Sequence, residues 1–192
     1  MALAGANSRA NVAGCGRPAA ALVNRAAKRW GANVAGLYFD DLAIGRRFEH
    51  PIRRTVTETD NILFSALTHN PQPLHIDRHF SEATEWGQPL MNSLFTLGLM
   101  IGISVNDTTI GTIIANLGMT EVRFPHPLFQ GDTVSVVTEV MAKRTSRSRP
   151  SAGIVEFEHK AFNQNGEMVA ICRRQVFIHM KPDGTPAPAK DA

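Results

Sequence analysis

The chain has 192 residues, which suits one domain with a core large enough to fold unaided, and 43% of them are apolar and 19% charged. Its longest apolar run, residues 97–103, is far shorter than the roughly 20 residues that cross a bilayer, so we expect no membrane partner. The net charge of +3 arises from the first 39 residues, which carry five basic side chains and no acid, and we therefore expect no nucleic-acid partner. The two cysteines, Cys15 and Cys172, form neither a disulfide pattern nor a metal pattern, which favours a reducing compartment.

The composition divides the chain into three parts. Residues 1–36, rich in Ala, Gly and Asn, form an extension that is either flexible or a targeting segment. Residues 37–182 form the folded domain, and residues 183–192 form a loose C-terminal tail. We expect a cytoplasmic protein, with the mitochondrial matrix as the alternative if residues 1–36 are a transit peptide.

Two helices are predicted in the first half of the domain. Short β segments in residues 48–57, interrupted by a proline, precede Thr57 and Asp60, whose spacing is that of a capping box at the start of a helix. Residues 89–105 are apolar on nearly every side, which predicts a helix enclosed by other structure. Within that helix, Gly98 and Gly102 are expected to permit close packing against a sheet.

Strands dominate the second half. Residues 118–128, 132–145, 153–164 and 168–181 each show partial alternation of apolar and polar residues, and turn signals separate them. One enclosed helix followed by a meander of long strands predicts an α+β fold, with a strongly curved antiparallel sheet wrapped around the helix.

The stretch LTHNPQPLHIDRHF, residues 67–80, holds three histidines. A metal site is disfavoured, because the neighbouring prolines keep part of the segment extended and no further ligand motif completes a set. A histidine held in a proline-flanked loop titrates near neutrality and can transfer protons to and from a substrate. A polar loop without function remains the other interpretation of this segment.

The motif NPQPLH resembles that of the MaoC-like dehydratases, also called hydratase 2 or R-specific enoyl-CoA hydratases, which adopt the hot-dog fold. His75 matches the catalytic histidine of that family, Asn70 stands where the family has Asp, and Gln72 stands where it has Asn. Asp77 matches an acid that often follows the motif. The resemblance covers about residues 38–181 and implies a single hot-dog unit.

Two further segments carry the resemblance. The segment EWGQPLMNSLFTLGL is similar to the family's entry into the central helix, with Asn92 and Ser93 where His and Gly are usual. The segment VRFPHPLFQGDTV closely resembles the family's RF..PV..GDT hairpin. The resemblance implies that Ser93 occupies the oxyanion-hole position, where a backbone N–H holds the thioester oxygen, with Asn92, Gln72 and Asp77 helping to position the substrate.

In this family an Asp and a His activate the water that adds across the double bond of an enoyl-CoA. An amide cannot accept a proton as a base, so Asn70 weakens a two-base mechanism. Three alternatives remain: His75 acts alone as acid and base, a second carboxylate such as Asp77 or Glu85 assists, or the protein binds acyl-CoA without catalysis. The resemblance implies no cofactor beyond the coenzyme A thioester that serves as substrate.

The surrounding sequence resembles the branch that hydrates mesaconyl-CoA or itaconyl-CoA, whose members carry Asn at position 70. Such substrates bear a free carboxylate, and three arginines in KRTSRSRP could bind either that carboxylate or the CoA phosphates: Arg144, Arg147 and Arg149. A solvated turn is the equal alternative for them. A hot-dog thioesterase is the rival enzyme class, but it usually needs an acid on the central helix, and residues 89–105 contain none. The resemblance also implies a homodimer or a higher homo-oligomer with the active site at the junction.

Overall fold

The computed structural model describes residues 36–182. They contain a 3₁₀ turn, four α-helices and six β-strands. The helices are α1 (Glu58–Leu67), α2 (Pro73–Ile76), α3 (Arg78–Glu82) and α4 (Ser93–Thr108). The strands are β1 (Arg47–Glu49), β2 (Arg54–Thr55), β3 (Ile113–Arg123), β4 (Thr133–Thr145), β5 (Ala152–Phe162) and β6 (Met168–His179). The predicted extension, apart from its last residue, and the predicted C-terminal tail lie outside the described residues.

The strands form the predicted antiparallel sheet, in the order β1-β4-β5-β6-β3, with β2 also pairing with β4. Four long strands contribute most of the pairing, and the first of them, β3, lies at one edge. β3 begins at Ile113, five residues before the predicted start at residue 118. Most of its residues are exposed on both faces, so the strand lacks the alternation that revealed the others.

Helix α4 packs against β4, β5 and β6 and forms the centre of the larger core cluster. It begins four residues after the predicted start, because Asn92 is its N-cap and accepts a hydrogen bond from the Leu94 N–H at 3.0 Å. Before that cap the chain is extended, and Leu90 pairs with Phe129 in an isolated β-bridge. This bridge joins the entry of α4 to the segment that leads into β4.

The interpretation of Gly98 and Gly102 as packing residues is wrong for this chain. Both lie on the exposed side of α4, and a Cβ atom at either position would meet no atom within 4 Å. The sheet instead contacts the side of α4 that carries Met100 and Ile103. The spacing of the two glycines was correct for one helical face, but it could not tell which face meets the sheet.

The capping box predicted at the start of α1 is confirmed. The Thr57 hydroxyl accepts from the Asp60 N–H at 3.3 Å, and the Asp60 carboxylate accepts from the Thr57 N–H at 2.8 Å. At the other end, the Asn70 N–H donates to the Ser65 carbonyl at 2.9 Å and the His69 N–H donates to the Ala66 carbonyl at 3.3 Å. These two bonds form a Schellman motif, and they place Asn70 directly after the helix.

None of the helices between residues 36 and 182 is long and apolar enough to cross a membrane. A second core cluster, around Phe157 and Ile178, fills the space under the 3₁₀ turn Phe39–Asp41. The architecture is the predicted α+β arrangement, in which an antiparallel sheet covers one long helix.

Candidate active site

His75 lies in the single turn of α2, where Pro73 occupies the first helical position. Its Nδ1 atom is 2.8 Å from the carbonyl oxygen of Leu90. A carbonyl only accepts hydrogen bonds, so the proton of the neutral imidazole must reside on Nδ1. The lone pair is therefore on Nε2, which is the atom that can take a proton from water.

Asn61, on α1, connects three backbone groups of this region. It is 2% exposed, and its Nδ2 donates to the carbonyl oxygens of His75 at 2.8 Å and Leu90 at 3.0 Å. Its Oδ1 accepts from the N–H of Asn92 at 2.9 Å. Sequence reasoning did not identify this residue, although an amide side chain in the mostly apolar NILFSAL segment was a visible signal.

The start of α4 supplies uncommitted backbone donors. The Asn92 N–H is bound by Asn61, and the Leu94 N–H is bound by the Asn92 side chain. The Ser93 N–H lies between them and, like that of Phe95, has no acceptor among the described residues; Ser93 is exposed, whereas Phe95 is half-buried. The 16-residue helix adds the positive end of its dipole at this point. An anion or a developing oxyanion would be stabilised there.

Asn70 follows the Schellman motif and is half-buried. Its Oδ1 accepts from the Gln72 N–H at 3.1 Å, and this contact identifies Nδ2 as the end free to donate. Gln72 precedes α2 and makes no capping bond with its own side chain. A pocket of about 400 Å³ opens between α1 and this loop, and Asn70 and Ile76 are among its lining residues.

The other polar residues of the motif have local structural contacts. The Asp77 carboxylate caps α3 by accepting from the Phe80 N–H at 3.0 Å. His69 and His79 are exposed. Within residues 36–182, no three His, Cys, Asp or Glu side chains lie close enough together to hold a metal ion.

The three arginines at the end of β4 and in the β4–β5 turn lie far from His75 within one chain. Leu90 pairs with Phe129 just before β4, whereas Arg144 is near the end of that 13-residue strand. At ~3.3 Å per residue, about 35 Å of strand separates the two places. Arg144 and Arg147 line a separate pocket of about 670 Å³, and the guanidinium of Arg149 lies 5.9 Å from the ring centroid of Phe177. Their proposed binding roles remain predictions, and a CoA bound at His75 of the same chain would have to span that distance to meet them.

A second polar cluster lies inside the fold, at the C-terminal end of α4. Asp107 is 2.8 Å from Nδ1 of His50, Nε2 of His50 is 2.8 Å from the Thr138 hydroxyl, and that hydroxyl is 2.8 Å from Nδ1 of His159. Burial, with smaller contributions from the charges of Arg174 and His50, lowers the pKa of His159 to about 3. Asp107 also shows that the central helix does contain an acid, beyond the residues 89–105 predicted for it. It is 14 residues from Ser93, or roughly 21 Å along the helix, and its carboxylate is bound to His50.

An antiparallel sheet around one central helix defines the class as a hot-dog protein, and here a histidine of fixed tautomer lies beside the N-terminus of that helix. Residues 40–161 match the family described as the MaoC like domain, and the chain belongs to that family. The predicted family and the predicted fold are both confirmed.

Mesaconyl-CoA hydratase of Cereibacter sphaeroides is 30% identical over 155 residues, which are 81% of this chain and 45% of that protein. Beta-methylmalyl-CoA dehydratase of Chloroflexus aurantiacus is 28% identical over 153 residues, which are 80% of this chain and 43% of that protein. The chain thus spans about half the length of the curated relatives it matches.

Among solved structures, the MaoC-like dehydratase from Rhodospirillum rubrum is 29% identical with a TM-score of 0.66, over 77% of this chain and 99% of that one. A Mycobacterium tuberculosis protein with a double hot-dog fold is 25% identical with a TM-score of 0.71, over 81% of this chain and 48% of that one. The single unit seen here therefore corresponds to a whole chain in the first structure and to half a chain in the second.

Proposed function

We propose that this chain adds water reversibly across the double bond of an enoyl-CoA thioester. The observation that carries the proposal is the hydrogen bond from His75 Nδ1 to the Leu90 carbonyl, which leaves Nε2 as a proton acceptor. The N–H of Ser93, at the start of α4 and three residues after Leu90, is the proposed oxyanion donor.

In the forward direction, Nε2 of His75 takes a proton from water while the water oxygen bonds to the β-carbon of the thioester. The π electrons move onto the thioester oxygen, and the Ser93 N–H stabilises that enolate. The imidazolium then returns its proton to the α-carbon, which re-forms the thioester carbonyl and neutral His75. One such backbone donor is worth ~3 kcal/mol of transition-state stabilisation in studied enzymes.

Asn70 has a positioning role in this scheme. Its Oδ1 is bound by the Gln72 N–H, so Nδ2 is the group that can donate to the water oxygen or to the substrate. Gln72 helps to position the loop that carries Asn70, and Asn92 caps the start of α4. Asp77 would act through the capping of α3 and not by direct proton transfer. No cofactor other than the CoA of the substrate is required.

The proposed substrate is a branched dicarboxylic thioester, mesaconyl-CoA or itaconyl-CoA. Support comes from the names of the two curated relatives, which act on mesaconyl-CoA and beta-methylmalyl-CoA. The three turn arginines are candidate groups for the free carboxylate or the CoA phosphates. Cytoplasmic localisation is part of the proposal, with the mitochondrial matrix as the alternative if residues 1–36 are a transit peptide.

A second copy of this chain is the proposed partner. β3 is a sheet edge with unpaired backbone groups, and it exposes Leu117 and Val122 at 50% and 38%. Exposed edges of this length invite pairing with another strand, most simply across a two-fold axis. The double hot-dog relative supports the idea that two such units belong together. Light scattering should give at least twice the chain mass, and a monomeric, fully active species would contradict the pairing.

The test is to incubate the purified chain with mesaconyl-CoA, itaconyl-CoA and crotonyl-CoA and to follow water addition by mass spectrometry. His75→Gln should abolish the mass gain, whereas His79→Gln, a change of an exposed histidine four residues away, should not. Water addition to neither dicarboxylic thioester would refute the substrate assignment. Free-thiol release would indicate a thioesterase, and binding without turnover would indicate an acyl-CoA-binding protein.

A further inference from the structure

The buried amide of Asn61 contacts the backbone segments that carry the proposed proton acceptor and the proposed oxyanion donor. Its Nδ2 bonds to the carbonyls of His75 and Leu90, and its Oδ1 bonds to the N–H of Asn92. The three contacts lie between 2.8 and 3.0 Å, in the normal range of hydrogen bonds. One side chain therefore connects α1 to the turn that carries the histidine and to the start of α4.

The contact with Leu90 is the most informative of the three. The Leu90 carbonyl accepts both from Asn61 Nδ2 and from His75 Nδ1, at 3.0 and 2.8 Å. A carbonyl oxygen has two lone pairs, so these two donors occupy its full hydrogen-bonding capacity. Asn61 thereby fixes the acceptor that in turn fixes the tautomer of His75.

The contact with Asn92 has a separate consequence. By accepting from the Asn92 N–H, Asn61 sets the direction of the backbone immediately before Ser93. The Leu94 N–H is occupied by the Asn92 side chain, whereas the N–H of the exposed Ser93 has no acceptor among the described residues. The same amide thus orients both the proton acceptor and the proposed oxyanion donor.

We infer that Asn61 is a positioning residue of the reaction, which holds Nε2 of His75 and the N–H of Ser93 in fixed relation to each other. The inference rests on the proposed hydration reaction and extends it to a residue of α1 that touches no reacting atom. A displacement of either group by about 1 Å is enough to lower turnover by ~10²-fold.

The chain offers a matched control in Asn163. Asn163 is also buried, at 6% exposure against 2% for Asn61, and also makes three hydrogen bonds. Its bonds, to Asn165 and Glu167, close the β5–β6 turn and involve no residue of the candidate site. Asn61→Ala and Asn163→Ala therefore both remove a buried three-bond amide, but only the first one affects the site.

The first measurement is steady-state hydration, normalised to folded protein by circular dichroism. Asn61→Ala should lower kcat by ~10²-fold and change KM less than ~3-fold, because the positions of the groups and not the binding surface are altered. Asn163→Ala should keep kcat within ~3-fold of the parent. If Asn61→Ala does not fold, the isosteric Asn61→Asp is used, which keeps the acceptor for Asn92 and loses both donated bonds.

The second measurement does not depend on activity. In ¹⁵N-histidine NMR spectra, the His75 signal, assigned by its loss in His75→Gln, should report a proton on Nδ1 in the parent and in Asn163→Ala. In the Asn61 variant it should shift towards the Nε2–H form, because the Leu90 acceptor is no longer held. If the parent has no hydratase activity but the Asn61 variant shows this tautomer shift, the proposed function is refuted and the role of Asn61 in fixing the His75 tautomer stands. An unchanged tautomer, or a kcat no lower than that of Asn163→Ala, would overturn the role of Asn61.

Discussion

Acidification should destabilise this protein through one buried histidine, His159. With a neutral His50, the hydrogen bonds run in one direction: Asp107 accepts from His50, His50 accepts from the Thr138 hydroxyl, and Thr138 accepts from Nδ1 of His159. The Nε2 atom of His159 is buried and has no partner among the described residues. A proton added there would gain no acceptor, which agrees with a pKa that burial, with a smaller contribution from the charge of Arg174, lowers from 6.5 to about 3.

The sign of the effect follows from proton uptake. Between pH 6.5 and about 3 the unfolded chain carries a proton on His159 and the folded chain does not, so the free energy of unfolding falls as the pH falls through this window. The free energy of unfolding loses nothing to this histidine above pH 6.5, the pKa of His159 in the unfolded chain. At pH 5 the unfolded histidine is 1.5 pH units below its pKa of 6.5, and the loss relative to neutral pH is about 2 kcal/mol.

Urea unfolding of the parent and of His159→Leu, at pH 7 and pH 5 and at one protein concentration, measures this loss. The parent should lose about 2 kcal/mol more than the variant between the two pH values. Burial and Arg149 also lower the pKa of His179, with the same sign, so the comparison is repeated in a His179→Gln background. An equal loss in the parent and in His159→Leu would refute the reasoning.

Three further predictions follow from individual contacts. Thr138→Val should lower the free energy of unfolding by about 2–4 kcal/mol, because two buried imidazole nitrogens lose their hydrogen-bond partner. The control Thr133→Val, at an exposed hydroxyl pair on the same strand, should change the free energy of unfolding by less than about 0.5 kcal/mol. Equal urea midpoints for the two variants would contradict this prediction. Asn70→Asp should retain hydration, whereas Asn70→Ala should lower kcat by ~10-fold or more, and equal steady-state rates for Asn70→Ala and the parent would remove Asn70 from the site. His69→Gly should raise the free energy of unfolding by up to about 1 kcal/mol, because His69 has a φ of 53°, a left-handed conformation that glycine adopts more readily. Thermal denaturation measures this change, and a lower melting temperature in the variant would show that the backbone at His69 is not strained.

Local patterns predicted the long elements of the fold well, but they missed the short helices α2 and α3, which lie in the segment expected to be a loop. The Thr57–Asp60 capping box and the alternation in the later strands are encoded within a few neighbouring residues, and both appear in the structure. β3 was placed five residues short, because its exposed edge gives no alternation to detect. The face of α4 that carries Gly98 was also misjudged, since periodicity defines a face and not its neighbour.

In the candidate site, too, the local sequence indicated some features and missed others. The motif drew attention to His75 as a titratable residue in a constrained loop, but the carbonyl that sets its tautomer is 15 residues away in sequence. Asn61 is 31 residues from Asn92, and His50 is 88 residues from Thr138. Such contacts depend on how the helices and strands pack, and no local spacing in the sequence encodes them.

The amide at position 70 is easier to understand once the surroundings of His75 are known. A carboxylate beside a catalytic histidine can serve two purposes, as a second base and as the acceptor that fixes the tautomer. Here the Leu90 carbonyl already provides the acceptor, and Asn61 holds that carbonyl in place. Replacing Asp by Asn70 therefore removes a base without releasing the imidazole. On the proposed reaction, one histidine that takes a proton from water and returns it to the α-carbon needs an oriented lone pair on Nε2, and backbone and amide contacts are sufficient to provide it.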